Sequence, residues 1–127
     1  MNELSGYKEV KIGGRIFPMK FGVNASALFC LARGVDLPQI ADTGLYGRYE
    51  GEKMISPPDV YALLQLAWFA HVTACKIDGR DTEVASMEEF IELCNEEEGT
   101  MEEITRAMLE SKFLGRKITG EAKKKPN

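Results

Sequence analysis

Residues 56–76 read SPPDVYALLQLAWFAHVTACK, and this stretch decides the fold. A serine followed by a proline is a typical helix start, so Ser56 and Pro57 predict the first turn of a helix. Residues 60–75 contain no formally charged side chain, and apolar residues cover the helix nearly all round. Because such a helix must be covered on most sides, we expect a central buried helix over residues 57–76.

A membrane span is the alternative for this stretch. Its uncharged run has 16 residues and includes Gln65, His71 and Thr73. A transmembrane helix needs about 20 predominantly apolar residues. The sequence therefore predicts the core helix of a domain that has no membrane partner.

An N-terminal β-hairpin is predicted over residues 7–21. Apolar residues recur at every second position on both sides of Gly13-Gly14, which is the period of a strand, and the two glycines suit a type I′ turn. These apolar positions are Val10, Ile12, Phe17, Met19 and Phe21. Pro18 cannot donate a hydrogen bond to a neighbouring strand, so we expect the second strand to have an open edge.

Shorter elements follow the hairpin. A helix is predicted over about residues 25–33, with Asn24 as its N-cap and Gly34 after its last turn. A short helical turn is expected over residues 37–41. The glycines within residues 43–55 predict a loop.

Two capping boxes predict a helical hairpin in the last third of the chain. The pattern Ser-x-x-Glu begins at Ser86, and Thr-x-x-Glu begins at Thr100. We therefore expect helices over about residues 87–98 and 101–113, with glutamates on their outer face.

Together these elements predict a mainly α fold with a small N-terminal β-hairpin, an α+β class in which a helical bundle surrounds the central helix. A chain of 127 residues fits one domain, which we place at residues 1–114. Residues 115–127 are polar and basic, and we expect them to form a disordered tail.

The charge of the chain is unevenly distributed. The net charge is −4, but residues 77–110 hold 12 acids and 2 bases, whereas the rest of the chain holds 8 acids and 14 bases. A duplex-DNA binder usually carries a basic surplus, so we predict no nucleic-acid partner. The acidic third is either a solvated helical face or a surface that docks a basic partner or a second copy.

Cysteine usage and the first residues bear on the compartment. Cys30, Cys75 and Cys94 are widely spaced and form no CxxC pair, which favours buried thiols in a reducing compartment. Residues 1–4 lack the basic and apolar regions of a secretory signal. We therefore expect a cytoplasmic protein.

The only histidine of the chain, His71, is a candidate catalytic residue. His71 lies four residues before Cys75, so the pair could be a nucleophile dyad, half of a metal site, or a buried and hydrogen-bonded histidine beside a thiol. The sequence has no G-x-S-x-G, HExxH or phosphate-loop motif. We predict no catalytic residue, no metal and no cofactor, with a small enzyme based on this pair as the alternative.

A family resemblance lies in residues 7–22, which read YKEVKIGGRIFPMKFG. This stretch is similar to the opening of tail assembly chaperones from long-tailed bacteriophages and prophages, in which a hairpin of the form I-G-G-x-x-x-x-x-x-F-G precedes a first helix. A long apolar helix and acidic helices follow in those proteins, as they do in this sequence.

The resemblance implies a non-enzymatic role in the cytoplasm of a bacterial host. Such chaperones bind the tape-measure protein and the tail-tube protein during tail assembly, and often self-associate. They often also exist as a longer form made by ribosomal frameshifting, for which the codons of Lys123-Lys124-Lys125 are the place to look.

The resemblance carries no binding motif, so candidate surfaces come from the residue chemistry. One is the open strand edge, at Phe17, Pro18 and Met19. The other is an acidic helical face, at Glu88, Glu92, Glu96, Glu102 and Glu103. An alternative function that uses the same acidic face is a small interaction or regulatory domain that binds a basic partner protein.

Overall fold

The computed structural model describes residues 6–111, which form two β-hairpins and four α-helices around one core. The elements are β1 Tyr7–Ile12, β2 Arg15–Lys20, α1 Val23–Arg33, a 3-10 helix Leu37–Thr43, β3 Arg48–Glu50, β4 Lys53–Ser56, α2 Val60–Asp78, α3 Met87–Glu96 and α4 Thr100–Glu110. The predicted α+β class, with an N-terminal hairpin and a central apolar helix, is confirmed. The predicted tail, residues 115–127, lies outside the described residues.

The first hairpin forms as predicted. β1 and β2 pair antiparallel with Ile12 opposite Arg15, and Gly13 and Gly14 make the two-residue turn. Both glycines have positive φ, 60° and 83°, a backbone conformation that side chains with a Cβ rarely adopt. One face of the hairpin is buried in the core, through Val10, Ile12, Phe17 and Met19.

Helix α2 lies at the centre of the domain, in contact with β2, α1 and α3. It begins at Val60, because the Asp59 side chain accepts a hydrogen bond from the Ala62 N–H at 3.0 Å. The predicted start at Ser56 and Pro57 is wrong. A residue that precedes a proline is pushed out of the helical region, and Pro57 precedes Pro58.

By length and composition alone, α2 is apolar enough to cross a membrane. Most of its residues are nevertheless buried inside the domain, including His71 and Gln65. The helix is therefore packed in this structure as the core helix of a folded domain.

Helix α1 begins earlier than predicted. Val23 is its first residue and Gly22 its N-cap, so Asn24 lies within the helix and does not cap it. The Ser26 hydroxyl donates to the Gly22 carbonyl at 2.8 Å. The predicted end is confirmed, since Gly34 adopts a left-handed conformation that stops the helix.

The predicted loop over residues 43–55 is wrong in its second half. Residues 48–56 form the short hairpin β3–β4, in which Glu50 pairs with Lys53 and Gly51 has a positive φ of 64°. Nearly all of this hairpin is exposed. Because no face is buried, its sequence lacks the alternation that reveals a strand.

The acidic helical hairpin forms with shorter helices than predicted. The Ser86 hydroxyl accepts from the Glu89 N–H at 3.2 Å, which confirms this N-cap. Helix α3 ends at Glu96, and α4 begins at Thr100 because Gly99, at φ 83°, takes the N-cap position that was predicted for Thr100. Of the predicted helix 101–113, the last two residues lie outside the described part of the chain.

An aromatic cluster joins the hairpin to the helices. The Phe17 ring lies 5.6 Å from Phe90 of α3 and 4.9 Å from His71 of α2, measured between ring centroids. Trp68 lies 5.9 Å from His71 and 5.7 Å from Phe90. These contacts make residue 17 a central packing position of the core.

Polar contacts connect the first strand to the helices behind it. The Tyr7 hydroxyl donates to the Asp78 carboxylate at 2.8 Å, and Lys8 lies 3.4 Å from the Glu110 carboxylate. Burial, together with the bond to Asp78, raises the pKa of Tyr7 to about 12. The start of β1 is thereby tied to the ends of α2 and α4.

Candidate functional site

The predicted strand-edge surface is part of the core. Phe17 and Met19 are each 0% exposed, and Pro18 is buried. Pro18 pairs with Glu9 of β1, and its carbonyl oxygen is bonded to His71 of α2, so this edge of the strand faces the central helix. The prediction that these three side chains form an open edge is corrected, because α2 covers them.

His71 is buried at the centre of a hydrogen-bonded link between three segments. Its Nε2 atom accepts from the backbone N–H of Glu83 at 3.0 Å. An acceptor nitrogen carries no proton, so the proton lies on Nδ1, which donates to the Pro18 carbonyl at 2.9 Å. The ring is therefore neutral and satisfied at both nitrogens. Burial lowers the pKa of His71 from its usual 6.5.

Cys75 lies beside this ring without being activated by it. Its Sγ atom is 3.7 Å from each ring nitrogen, but both nitrogens are engaged by backbone groups at shorter distances. A nucleophilic cysteine needs a lowered pKa, whereas burial raises the pKa of Cys75. The geometry favours a packed thiol over a catalytic dyad.

The cysteines supply a direct test of the enzyme alternative. All three are buried, and burial raises the pKa of Cys94 to about 12. We expect a thiol reagent at pH 7 to label the folded chain at least about 100-fold more slowly than the chain unfolded in urea, because reaction requires an exposed thiolate. Stopped-flow labelling measures both rates. Rapid labelling of Cys75 in the folded chain would favour the enzyme.

The acidic face is present on α3 as an uninterrupted stripe. Glu88, Glu92 and Glu96 are exposed and follow one another at four-residue intervals, which places them on one side of the helix. Glu102 at the start of α4 is also exposed. Within residues 6–111, none of these four carboxylates forms an ion pair. We call Glu88, Glu92 and Glu96 the acidic stripe.

Glu103 differs from the other predicted acidic residues. Its carboxylate is half-buried and lies 3.1 Å from the Arg106 guanidinium on the next turn of α4. Exposed pairs of this kind add little stability, but the arginine offsets the charge of Glu103. The acidic face is therefore concentrated on α3 and on the first turn of α4.

A cleft of about 270 Å³ lies where the start of α2 meets the turn between α3 and α4. Val60, Leu64 and Met101 are among its apolar lining residues, and Glu98 and Glu102 are among its acidic ones. Lysine and arginine bury an aliphatic stem and keep a charged head near water. A cleft with both kinds of lining has the chemistry to receive such a side chain.

The second hairpin carries apolar side chains that sequence reasoning missed. Tyr49 and Met54 face each other across β3 and β4, and Ile55 follows, all of them well exposed. Val60 and Tyr61, in the first turn of α2, are exposed as well. No sequence signal separated these residues from buried ones, since each lies in an apolar or mixed run.

In the part of the chain that the structure describes, no group of three His, Cys, Asp or Glu side chains is arranged to hold a metal ion. Comparison with protein-family models, curated proteins and solved structures gives no match for this chain. The functional argument therefore depends on its own residues and geometry.

Proposed function

We propose that this chain is a non-enzymatic tail assembly chaperone of a long-tailed bacteriophage or prophage, which binds the tape-measure and tail-tube proteins in the host cytoplasm. The resemblance of residues 7–22 supports the class of protein, and these residues form a hairpin that directly precedes helix α1. The observation that carries a binding role is the acidic stripe, whose carboxylates are exposed and form no ion pair among the described residues.

The acidic stripe suits a long helical partner that carries basic residues. Three carboxylates at four-residue intervals repeat every 6 Å or so, which is about one helical turn. A partner helix lying alongside α3 can present lysines at a matching interval. Attraction between such surfaces raises the association rate and fixes the register. The cleft beside Glu98 and Glu102 then provides a place for one basic side chain of the partner.

The alternative function is a small interaction or regulatory domain that binds another basic protein. The same acidic stripe favours it, so the two functions differ in the partner and not in the surface. Because the binding is electrostatic in both cases, its affinity falls with added salt in both. Only the identity of the partner separates them.

Co-expression tests the proposal. The chain is produced together with the longest coiled-coil protein encoded in the same gene cluster, and the soluble fraction of that protein is measured with and without the chain. We expect the chain to keep it soluble and to co-purify with it. A lysine-rich helical protein from an unrelated source is the control.

Two results would contradict the chaperone. The first is a coiled-coil protein that stays insoluble and does not co-purify. The second is equal capture of the control protein, which would favour the general basic-partner domain. The absence of any gene for a long helical protein near this reading frame would also remove the proposed partner.

A further inference from the structure

The bonds of His71 join strand β2, helix α2 and the connection that follows α2. The ring belongs to α2, its donor bond goes to Pro18 of β2, and its acceptor bond comes from Glu83 in the connection between α2 and α3. Arg15 of β2 strengthens the same connection, because its guanidinium donates to the Glu83 carbonyl at 2.9 Å. Residues 79–86 are thus held to the rest of the domain by one imidazole, one arginine and the side chain of Val84, which is buried in the core.

Protonation of this ring is incompatible with the observed bonds. A second proton would go to Nε2, which accepts the Glu83 N–H, and two N–H groups would then point at each other. The ring is 0% exposed, so the new charge would also lack water. Protonation of the ring therefore requires that the bond to Glu83 break and that the connection move away from the ring.

The charged groups around the ring favour opening in acid. The connection contributes Arg80 and Glu83, which form an ion pair with each other, and β2 contributes Arg15, which is bonded to the Glu83 carbonyl. The neighbouring group on α2 is the Cys75 thiol, which burial keeps protonated. The nearby rings of Phe17, Trp68 and Phe90 carry no charge. Among these groups, only the Glu83 carboxylate could stabilise the positive charge of a protonated His71. That carboxylate already forms an ion pair with Arg80.

We propose that the bonds of His71 to Pro18 and Glu83 form a pH-sensitive latch, which holds the connection between α2 and α3 closed near neutral pH and releases it on acidification. The latch is independent of the proposed function. It affects the acidic stripe because residues 79–86 lead directly into α3. Release would free the N-terminal side of the acidic helical hairpin while Phe90 still packs on Phe17 and Trp68.

The direction of the pH effect follows from proton binding. The closed ring binds a proton less readily than an open one, so the open form gains protons first as the pH falls below about 6.5. With the ordinary histidine pKa of about 6.5 in the open form and a neutral ring in the closed form, the equilibrium constant for opening rises about tenfold as the pH falls from 7.5 to 5.5. Above pH 7.5 the latch is expected to be insensitive to pH.

Two NMR measurements on the full chain test the latch. Nitrogen-15 shifts of the single histidine report its tautomer, for which we expect a proton on Nδ1 at pH 7.5. Hydrogen exchange, corrected for the intrinsic effect of pH, reports the protection of the Glu83 amide, which we expect to fall about tenfold from pH 7.5 to pH 5.5. The Leu66 amide in the middle of α2 is the internal reference. Its protection is expected to exceed that of Glu83 at both pH values, because Glu83 exchanges through local opening and Leu66 only through unfolding of the domain.

The His71→Gln variant separates the latch from other pH effects. A glutamine amide can donate to Pro18 and accept from Glu83 without titrating, so Glu83 protection in this variant is expected not to change with pH. A proton on Nε2 in the wild type would overturn the latch. So would unchanged Glu83 protection, a Glu83 protection equal to that of Leu66 at both pH values, which indicates that Glu83 exchanges only through global unfolding, or the same pH effect in the variant. If the variant does not fold, the wild-type tautomer and the two amides still decide.

Discussion

Replacing Glu88, Glu92 and Glu96 by lysine is expected to weaken binding of the basic partner by about 100-fold or more, since each reversed carboxylate contributes on the order of 1 kcal/mol. The fold is expected to be unchanged. Lysines at these positions repel one another at the same four-residue spacing as the glutamates do. A lysine at position 88 loses a favourable interaction with the N-terminal end of the helix dipole, and a lysine at position 96 gains one with the C-terminal end. Calorimetric titration measures the affinity, and circular dichroism checks the helices.

A matched control for this reversal lies outside the acidic helical hairpin. Asp42, Glu50 and Glu52 are exposed, and their replacement by lysine changes the net charge by the same amount. We expect this control to bind within about threefold of the wild type, because its charges lie on other elements than the stripe and salt screens charges that do not contact the partner. Equal loss of binding in both variants would show that net charge matters and the stripe does not.

Replacing Phe17 by alanine is expected to lower the free energy of unfolding by about 3–5 kcal/mol, the range for removing a large buried aromatic side chain. Phe17 is 0% exposed and packs on His71 and Phe90, so the substitution opens a cavity between β2, α2 and α3. Urea unfolding followed by the fluorescence of the single tryptophan, Trp68, measures the change.

Ile16→Ala is the matched control, because the Ile16 side chain is 46% exposed on the same strand. Its expected cost is below about 1 kcal/mol. A Phe17→Ala chain that keeps wild-type stability but loses its partner would contradict the packing role. It would restore the strand edge as a binding surface.

The sequence was most informative where an element has one buried and one exposed side. The hairpin β1–β2 and the N-cap at Ser86 were predicted because alternation and capping chemistry are local. The central helix was predicted from its lack of charge. Its start was misplaced, because the choice between Ser56 and Asp59 as N-cap depends on the second proline.

The errors share a physical cause, which is tertiary context. The presence of Pro18 correctly predicted that β2 lies at the edge of its sheet. Only the folded chain shows that α2 lies over that edge. The hairpin β3–β4 has no buried face, so its residues carry no periodic signal. The acidic stripe was predicted correctly as exposed, whereas the pairing of Glu103 with Arg106 depends on side-chain rotamers that spacing does not fix.

Carboxylate footprinting of the bound chain tests the central claim most directly. The chain is treated with a carbodiimide and glycine ethyl ester, alone and in complex with the coiled-coil partner, and mass spectrometry measures the labelling of each glutamate. We predict that Glu88, Glu92 and Glu96 are labelled more slowly in the complex, while Glu50 and Glu52 are unaffected. A complex in which the acidic stripe is labelled as fast as in the free chain would contradict the account.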